Sequence, residues 1–505
     1  MVTHVSSLRK NIVANYAGQA WMALMAVAFV PLYIRILGVE AFGLVGFMLS
    51  LQALSQLLDF GMGGVLNREL AQRAHDAQAS TSARDLVRTF ELLVWPLSLL
   101  IGLVIWFSGP LIANSWLHAQ HLSRADTGAA VSIMGLAVAS LWPTSFYSSG
   151  ISGLEQQTRL NFINVVFATL RGVGVLPVLY RISPTISAFL WWYALVGICQ
   201  SLTSAVVLWK ALPNGKRSPS FNARELSNAK RFAGGLFAIT ALSLGLTQLD
   251  RLSLSAMRPL EELGYYGLAM SVAAGLGRMV LPMFNALYPR FSRLVVTNDT
   301  EALRHLYHLS TQCVAVIIAA ISLVLIVFAK DVLYLWTGDS ALAAKVEVPL
   351  VILVAGTALN GLMNLPYALQ LANGWTRLTV AMNMTSLLLG IPFCLWAVSQ
   401  HGMVGAACLW LLINLGFFTI GIPLMHRRLL RQEMRTWYLR DILPPMLAAT
   451  AVAVAFGVTL PSTTRDIKGV FVLSVVSIST LCAAAIASPL VREMARRWLR
   501  LQFQQ

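Results

Sequence analysis

Residues 312–329 read QCVAVIIAAISLVLIVFA, a run without one charged side chain. Roughly 20 such residues cross the hydrocarbon core of a bilayer as a single α-helix. None of the comparable runs alternates with the period of two that marks the strands of a membrane barrel. These runs lie near 14–37, 43–60, 91–113, 128–150, 161–180, 185–209, 232–257, 264–287, 312–336, 348–371, 378–398, 403–424, 442–460 and 469–490. The pattern predicts an all-α polytopic membrane protein with about 14 transmembrane helices.

The composition excludes a soluble enzyme. Of the 505 residues, 57% are hydrophobic and only 11% are charged, whereas charged residues make up about 25% of an ordinary soluble domain. The five cysteines lie in apolar runs without metal-ligand spacing, so we expect neither a disulfide nor a metal site. The sequence also lacks a phosphate-binding loop and a nucleophile elbow. We therefore expect a protein that is not an enzyme and holds no cofactor, with a proton or sodium gradient left open as the source of energy.

The basic residues predict the orientation of the helices. If the chain starts inside, 26 Lys and Arg residues fall in inner segments and eight in outer ones. Membrane proteins concentrate such residues in their cytoplasmic loops. The bias predicts that the N- and C-termini are both cytoplasmic, and it accounts for the net charge of +16 without a nucleic-acid partner.

The longest polar inner segment divides the chain. Residues 210–231 contain six basic side chains; six predicted spans precede them, and the next six lie over 232–424. An aromatic-Gly-Leu sequence opens a helix at the outer face in both parts, as Phe42-Gly43-Leu44 and as Tyr266-Gly267-Leu268. Such recurrence is typical of repeated lobes. The predicted organisation is a six-helix lobe over 1–209, a basic cytoplasmic linker over 210–231, a second six-helix lobe over 232–424, and two additional helices with a basic tail over 425–505.

Several short motifs resemble those of a known family. The sequence is similar to Wzx-type polysaccharide repeat-unit flippases of the multidrug/oligosaccharidyl-lipid/polysaccharide exporter superfamily, and the motifs cover about the first 300 residues. The matching stretches are Leu37–Gly43, Asp59–Gly61, Asn67–Ala71, Gln248–Arg251, Leu263–Tyr266 and Tyr288–Phe291. The resemblance implies two six-helix lobes around a central cavity that opens alternately to each side.

The same resemblance implies the substrate, the location and the partners. The substrate is an undecaprenyl-diphosphate-linked oligosaccharide, moved from the cytoplasmic to the periplasmic leaflet of the bacterial inner membrane. Membrane lipid, a polysaccharide polymerase and chain-length proteins are the expected partners. A lipid II flippase is the first alternative, although such flippases usually carry charges in the first helix and Asn11–Ile34 has none. A cation-coupled multidrug antiporter is the second alternative, and it commonly has 12 spans and an acid in that helix.

Polar groups inside the predicted spans are the candidate site residues, because a charge within a bilayer is costly. Arg171 and Arg278 are predicted to bind the diphosphate or acidic sugars, since guanidinium groups grip phosphate oxygens in pairs. Ser243, Thr247 and Asp250 recur at helical spacing on one predicted face. Asp250 either carries a coupling proton or forms an ion pair with Arg171 or with its neighbour in the chain. The remaining candidates bind substrate or else join helices, and they are Arg251, Asn360 and Asn364.

Overall fold

The computed structural model describes residues 18–73, 80–213, 217–460 and 465–502. Its regular secondary structure over these ranges is helical, apart from one isolated β-bridge between His118 and Pro259. The chain forms two compact units, Met1–Gly264 and Tyr265–Gln505. The prediction of an all-α polytopic membrane protein is confirmed.

The first unit contains nine helices in the ranges described. They are α1 Gly18–Leu37, α2 Val39–Ser55, α3 Met62–Arg73, α4 Ser80–Ser115, α5 Arg124–Gly153, α6 Gln157–Gly172, α7 Val175–Arg181, α8 Ile186–Ala211 and α9 Ala223–Met257. Side chains cap three of the helix starts: the oxygens of Ser123, Thr185 and Asn222 accept hydrogen bonds from backbone N–H groups of α5, α8 and α9. These residue types are the preferred N-caps because they satisfy donors that lack a partner within the helix.

The second unit follows Gly264, within the first turns of α10. Its described helices are α10 Leu260–Val296, α11 Thr300–Val327, α12 Ala329–Thr337, α13 Ser340–Leu362, α14 Asn364–Ala372, α15 Arg377–Gly416, α16 Ile422–Arg428, α17 Leu443–Thr459, α18 Ile467–Ala487 and α19 Pro489–Gln502. Two π-helical turns, Phe417–Gly421 and Trp437–Ile442, precede α16 and α17. The unit boundary lies one helix after residues 210–231, because α9 packs against α2, α3 and α4. The division into six and six helices around that linker stays a prediction.

Twelve helices in the described ranges are long and apolar enough to cross a membrane. One of them, Arg377–Arg428, contains two predicted spans, and the chain breaks between them at Gly402 (φ 54°, ψ −130°). Beyond this break, a Cβ at Gly405 would lie 2.1 Å from the Ala397 carbonyl oxygen, so the two arms of α15 touch beside the turn. The predicted span 232–257 lies within α9. Within the residues that the structure describes, each of the predicted apolar runs therefore lies largely in helical structure.

The beginning of α10, residues 260–264, packs against the beginning of α2 within the first unit. A Cβ at Gly43 would lie 2.3 Å from the Leu260 carbonyl oxygen, and one at Gly264 would lie 2.2 Å from the Val39 carbonyl oxygen. Any side chain would force these backbones apart, since Cβ atoms do not approach oxygen so closely. Glycine at these two positions thus lets the start of α10 rest directly on α2.

Candidate functional site

Arg171 lies in the last turn of α6 and near the middle of the membrane span Gln157–Arg181. Its side chain is partly buried, and its guanidinium carbon is 5.9 Å from the centroid of the Tyr193 ring on α8. A cation within about 6 Å of an aromatic ring is attracted by the ring's negative face. No ion pair among residues 18–73, 80–213, 217–460 and 465–502 involves Arg171. Its positive charge is thus balanced by an aromatic ring rather than by a carboxylate of the described chain.

Aromatic side chains from α1 and α8 fix the ring that faces Arg171. The Phe189 ring stacks on Tyr193 with centroids 5.3 Å apart, and Tyr33 of α1 packs edge-on against Phe189 at 5.3 Å. The Tyr33 hydroxyl donates a hydrogen bond of 2.7 Å to the carbonyl oxygen of Gly172. We call Tyr33, Arg171, Phe189 and Tyr193 the Arg171 cluster. Three helices hold it, so the guanidinium is positioned by packing and not by a flexible loop.

Arg278 lies midway along α10 in the second unit and is exposed. Nothing lies within 4 Å of the positions that Cβ atoms would take at Gly275 and Gly277, so the helix is open around it. Arg278 also takes part in none of the ion pairs found in the described part of the chain. An anionic group therefore meets no steric obstacle from the helix itself at this guanidinium.

The predicted asparagines lie near the same stretch of α10. Gly361 of α13 is packed so closely that a Cβ there would be 3.5 Å from Cγ2 of Val280, two residues beyond Arg278. Asn360 donates a hydrogen bond of 2.9 Å from Nδ2 to Oδ1 of Asn414 on α15, and Asn364 donates from Nδ2 to the Asn360 carbonyl oxygen at 3.0 Å. The Asn360 amide therefore joins α13 to α15, which is the interhelical role that the sequence left open.

Asp250 and Arg251 lie near the C-terminal end of α9, in the first unit. Asp250 is only 4% exposed, and its Oδ1 accepts a hydrogen bond of 2.8 Å from the backbone N–H of Arg251. Ser243 and Thr247, which share the predicted polar face with Asp250, are exposed instead. Packing of α9 against α2 explains how a single helix face passes from exposed to buried positions along its length.

Glu91 is a buried acid that the sequence reasoning missed. Its carboxylate accepts hydrogen bonds from the Tyr147 hydroxyl at 2.7 Å, from Trp209 Nε1 at 3.1 Å and from Arg88 at 3.0 Å. An acid at the first position of the predicted span 91–113 was the available signal. With three donors satisfied, the group joins α4, α5 and α8 and has little capacity left for a ligand.

The segment that leads from α8 to α9 is fastened to α4. Arg217 forms an ion pair with Asp85, and the backbone N–H of Asn222 donates to the Thr89 hydroxyl at 2.9 Å. At the adjoining start of α9, Arg73 lies 2.9 Å from Glu225. Burial opposes the charge of Arg73, but hydrogen bonds and attraction from Glu225, together with its helix neighbour Glu69, outweigh burial and raise the pKa of Arg73. These polar contacts hold the segment between α8 and α9, which is too polar to lie in a membrane span, against α4.

Comparison with known proteins places this geometry among transporters. Residues 8–295 match the family model described as "Polysaccharide biosynthesis protein", and residues 237–396 match the model described as MatE. A Shigella flexneri protein named for O-antigen transport is 20% identical over 405 residues, which are 80% of this chain and 94% of that protein.

Solved structures show the same fold. The lipid II flippase MurJ in an inward closed conformation superposes with a TM-score of 0.65 at 13% identity, over 93% of this chain and 97% of that one. A multidrug resistance MATE family transporter in an inward-facing conformation gives a TM-score of 0.62 at 16% identity, over 80% of this chain and 95% of that one. At such identities the likeness establishes the fold alone.

Proposed function

Because the chain belongs to the polysaccharide biosynthesis protein family, whose model matches residues 8–295, we propose that it flips a lipid-linked oligosaccharide. The family consists of multi-pass membrane transporters rather than enzymes, and its relatives include a protein named for O-antigen transport. The proposed cargo is an undecaprenyl-diphosphate-linked repeat unit. It passes from the cytoplasmic to the periplasmic leaflet of a bacterial inner membrane by alternating access, with both protein termini in the cytoplasm.

The physical demand of this task is a route for polar groups through hydrocarbon. Each sugar hydroxyl that enters an apolar medium without a hydrogen-bond partner costs several kcal/mol, and an unpaired charged group costs far more. The polyprenyl tail has no such cost and can stay in the lipid. The protein therefore has to supply hydrogen-bond donors and positive charge at membrane depth to the diphosphate and sugars.

Arg171 is the observation that supports the proposal most directly. A ring beneath a guanidinium engages its planar face, whereas its five N–H donors point outward within the plane. Those donors suit the paired oxygens of a phosphate. Arg171 thus combines a position at mid-membrane with a charge that no carboxylate of the described residues neutralises. Arg278, open on α10, is the proposed second phosphate ligand, with Arg251, Asn360 and Asn364 as proposed contacts to the sugars.

The proposal also includes an energy source and partner proteins. A proton or sodium gradient would drive an anionic cargo in one direction, and Asp250 is the proposed coupling group because it is a buried acid inside a span. A polysaccharide polymerase and chain-length proteins would receive the flipped unit at the periplasmic face.

A lipid II flippase is the second candidate. The chain shares the fold of MurJ over 93% of its length, a larger share than it shares with the MATE transporter. Both cargoes carry a diphosphate, so the Arg171 cluster suits either of them. A multidrug antiporter is less well supported, because Arg171 and Arg278, which lie near the middle of their spans, are cationic and would repel cationic drugs.

Flipping in proteoliposomes tests the proposal. We expect Arg171→Ala to weaken substrate capture by about 10- to 100-fold, because each hydrogen bond to a charged group contributes roughly 1.5–3 kcal/mol. Arg171→Lys should retain part of the activity, since lysine keeps the charge but loses the planar fork. Arg181→Ala, which changes an exposed arginine at the end of the same span, is the matched control and should transport normally.

The result that would overturn the proposal is normal flipping by Arg171→Ala at a normal protein level. Competition with purified lipid II separates the two candidate cargoes. Strong inhibition of repeat-unit flipping by lipid II, together with direct flipping of lipid II, would replace the first cargo by the second.

A further inference from the structure

A buried group of charged side chains lies at the beginning of α11 in the second unit. His308 is 6% exposed, and its Nδ1 forms a hydrogen bond with Oδ2 of Asp441, which is 0% exposed. The other ring nitrogen, Nε2, lies 3.1 Å from Oε2 of Glu433. One imidazole is thus held between two carboxylates, and neither belongs to the proposed substrate site.

The hydrogen-bonding geometry of this arrangement suits a ring that donates from both nitrogens, provided that both carboxylates are ionised. An ionised carboxylate only accepts hydrogen bonds, whereas a neutral imidazole donates from one nitrogen alone. Both ring nitrogens of His308 can donate only when the ring is an imidazolium. Arg304 completes the chain, because its Nε lies 2.8 Å from Oε1 of Glu433. The sequence of charges from Arg304 through Glu433 and His308 to Asp441 then alternates in sign and sums to zero.

The same group joins α11 to the C-terminal elements. Asp441 lies in the π-helical turn Trp437–Ile442, which leads into α17. Gln312, one helical turn beyond His308, donates from Nε2 to Oδ1 of Asp441 at 2.9 Å and accepts at Oε1 from the backbone N–H of Leu490 at 2.9 Å. Leu490 is in the first turn of α19. The His308 ring is therefore connected through Asp441 to the start of α17, and Gln312 extends the connection to the start of α19.

Several other titratable or charged groups lie on the elements around His308. The titratable or charged side chains on these elements are Glu301, Arg304, His305 and Tyr307 on α11, His426, Arg427 and Arg428 on α16, Arg431, Glu433, Arg435, Tyr438, Arg440 and Asp441 on the segment before α17, and Arg492, Glu493 and Arg496 on the described part of α19. Of these, Tyr307 packs edge-on against His308 with centroids 5.5 Å apart and contacts His426 through its hydroxyl at 3.3 Å. Histidine is the side chain that ordinarily changes charge between about pH 5 and pH 8.

We propose that His308 is a proton-binding site that holds the segment 433–442 and the start of α19 against α11. Loss of the proton leaves Asp441 and Glu433 facing a ring that can donate to only one of them, and the other carboxylate then loses its hydrogen bond to the ring. The π-helical turn Trp437–Ile442 contains Asp441, so it is the element that loses a contact with α11 when that hydrogen bond breaks. On the predicted orientation this end of α11 faces the cytoplasm, so cytoplasmic pH sets the occupancy. This proposal does not depend on the identity of the cargo.

Amide hydrogen exchange of the full chain in lipid nanodiscs tests the proposal. After correction for intrinsic rates, we expect amides of 434–442 and 489–496 to exchange at least about tenfold more slowly near pH 5 than near pH 8, because breaking a buried ion pair is strongly destabilising. His308→Gln should exchange fast at both pH values. His305→Gln, which changes an exposed histidine on the same helix, should behave as the unchanged protein does.

Two outcomes would overturn the proposal. One is an exchange rate of these segments that does not depend on pH in the unchanged protein. This measurement does not require any variant to be expressed. The other is a pH dependence that persists in full in His308→Gln, which would assign the proton to another group.

Discussion

Tyr193 offers a quantitative test of how the structure presents Arg171. The variant Tyr193→Leu removes the ring beneath the guanidinium and the stack with Phe189, whereas Tyr193→Phe keeps both. The distance of 5.9 Å between the Arg171 guanidinium carbon and the ring centroid is near the outer limit of a cation–π contact. The lower part of the known range, about 0.5–1 kcal/mol, therefore applies.

That energy predicts a modest and specific defect. A change of about 0.5–1 kcal/mol corresponds to roughly two- to fivefold weaker substrate capture, since 1.4 kcal/mol is tenfold. The assay is the concentration dependence of flipping of a fluorescent lipid-linked oligosaccharide in proteoliposomes, normalised to reconstituted protein. We expect Tyr193→Phe to match the unchanged protein. Tyr193→Leu should reach half of its maximal flipping rate at a roughly two- to fivefold higher substrate concentration, with the maximal rate itself largely preserved.

A double-mutant cycle makes the reasoning refutable. If the ring acts through Arg171, Tyr193→Leu should add almost nothing to the defect of Arg171→Ala, because contacting residues are not additive. Equal and additive defects from the two changes would show that Tyr193 acts by another route. A defect in Tyr193→Phe as large as in Tyr193→Leu would assign the effect to the hydroxyl and would refute the cation–π argument.

Three further predictions concern packing, topology and coupling. Gly43→Ala should lower the melting temperature of the purified protein, at a cost of about 1–3 kcal/mol, because the added Cβ would lie 2.3 Å from a backbone oxygen. Gly46→Ala is the control and should be tolerated, because its added Cβ would lie 3.9 Å from the nearest neighbouring atom. Equal melting temperatures of the two variants would contradict the close approach at Gly43. Reporter fusions should be cytoplasmic at Pro213 and periplasmic at Lys345, because basic residues concentrate inside, and a periplasmic Pro213 would invert the topology. Asp250→Asn should fold, because the amide oxygen still accepts the backbone hydrogen bond, while flipping should lose its dependence on the proton gradient; unchanged gradient dependence would remove Asp250 from coupling.

The sequence predicts the spans well because hydrophobicity is a local property. The break at Gly402 lies between the predicted spans 378–398 and 403–424, where the apolar run pauses. The start of α4 is different: the helix begins at Ser80, well before the predicted residue 91. Its first turns contain Asp85 and Thr89, which are stabilised by Arg217 and by the backbone of Asn222. Contacts across more than a hundred residues are not visible in a local pattern.

The candidate site also contains features that the sequence predicts and features that it does not. Arg171 is identifiable from sequence because a charge in an apolar run is conspicuous, and the structure places it near the middle of its span. Nothing in the sequence indicates that Tyr193 lies beneath it. Asn360 was predicted as either a sugar ligand or an interhelical link, and its bond to Asn414 depends on how α13 and α15 pack. His308 and Asp441 were overlooked because each is near the end of a span, where charge is ordinary.

The turn at Gly402 has a consequence for how this region is able to move and to be engineered. The two arms of α15 meet immediately beside the turn, with Gly405 against the Ala397 carbonyl oxygen, so the connection contains no slack. A hairpin without slack cannot let one arm slide while the other stays fixed, and any displacement during a transport cycle has to carry both arms together. A tag inserted at this turn would separate the arms, and its effect on activity would measure mechanical coupling rather than accessibility.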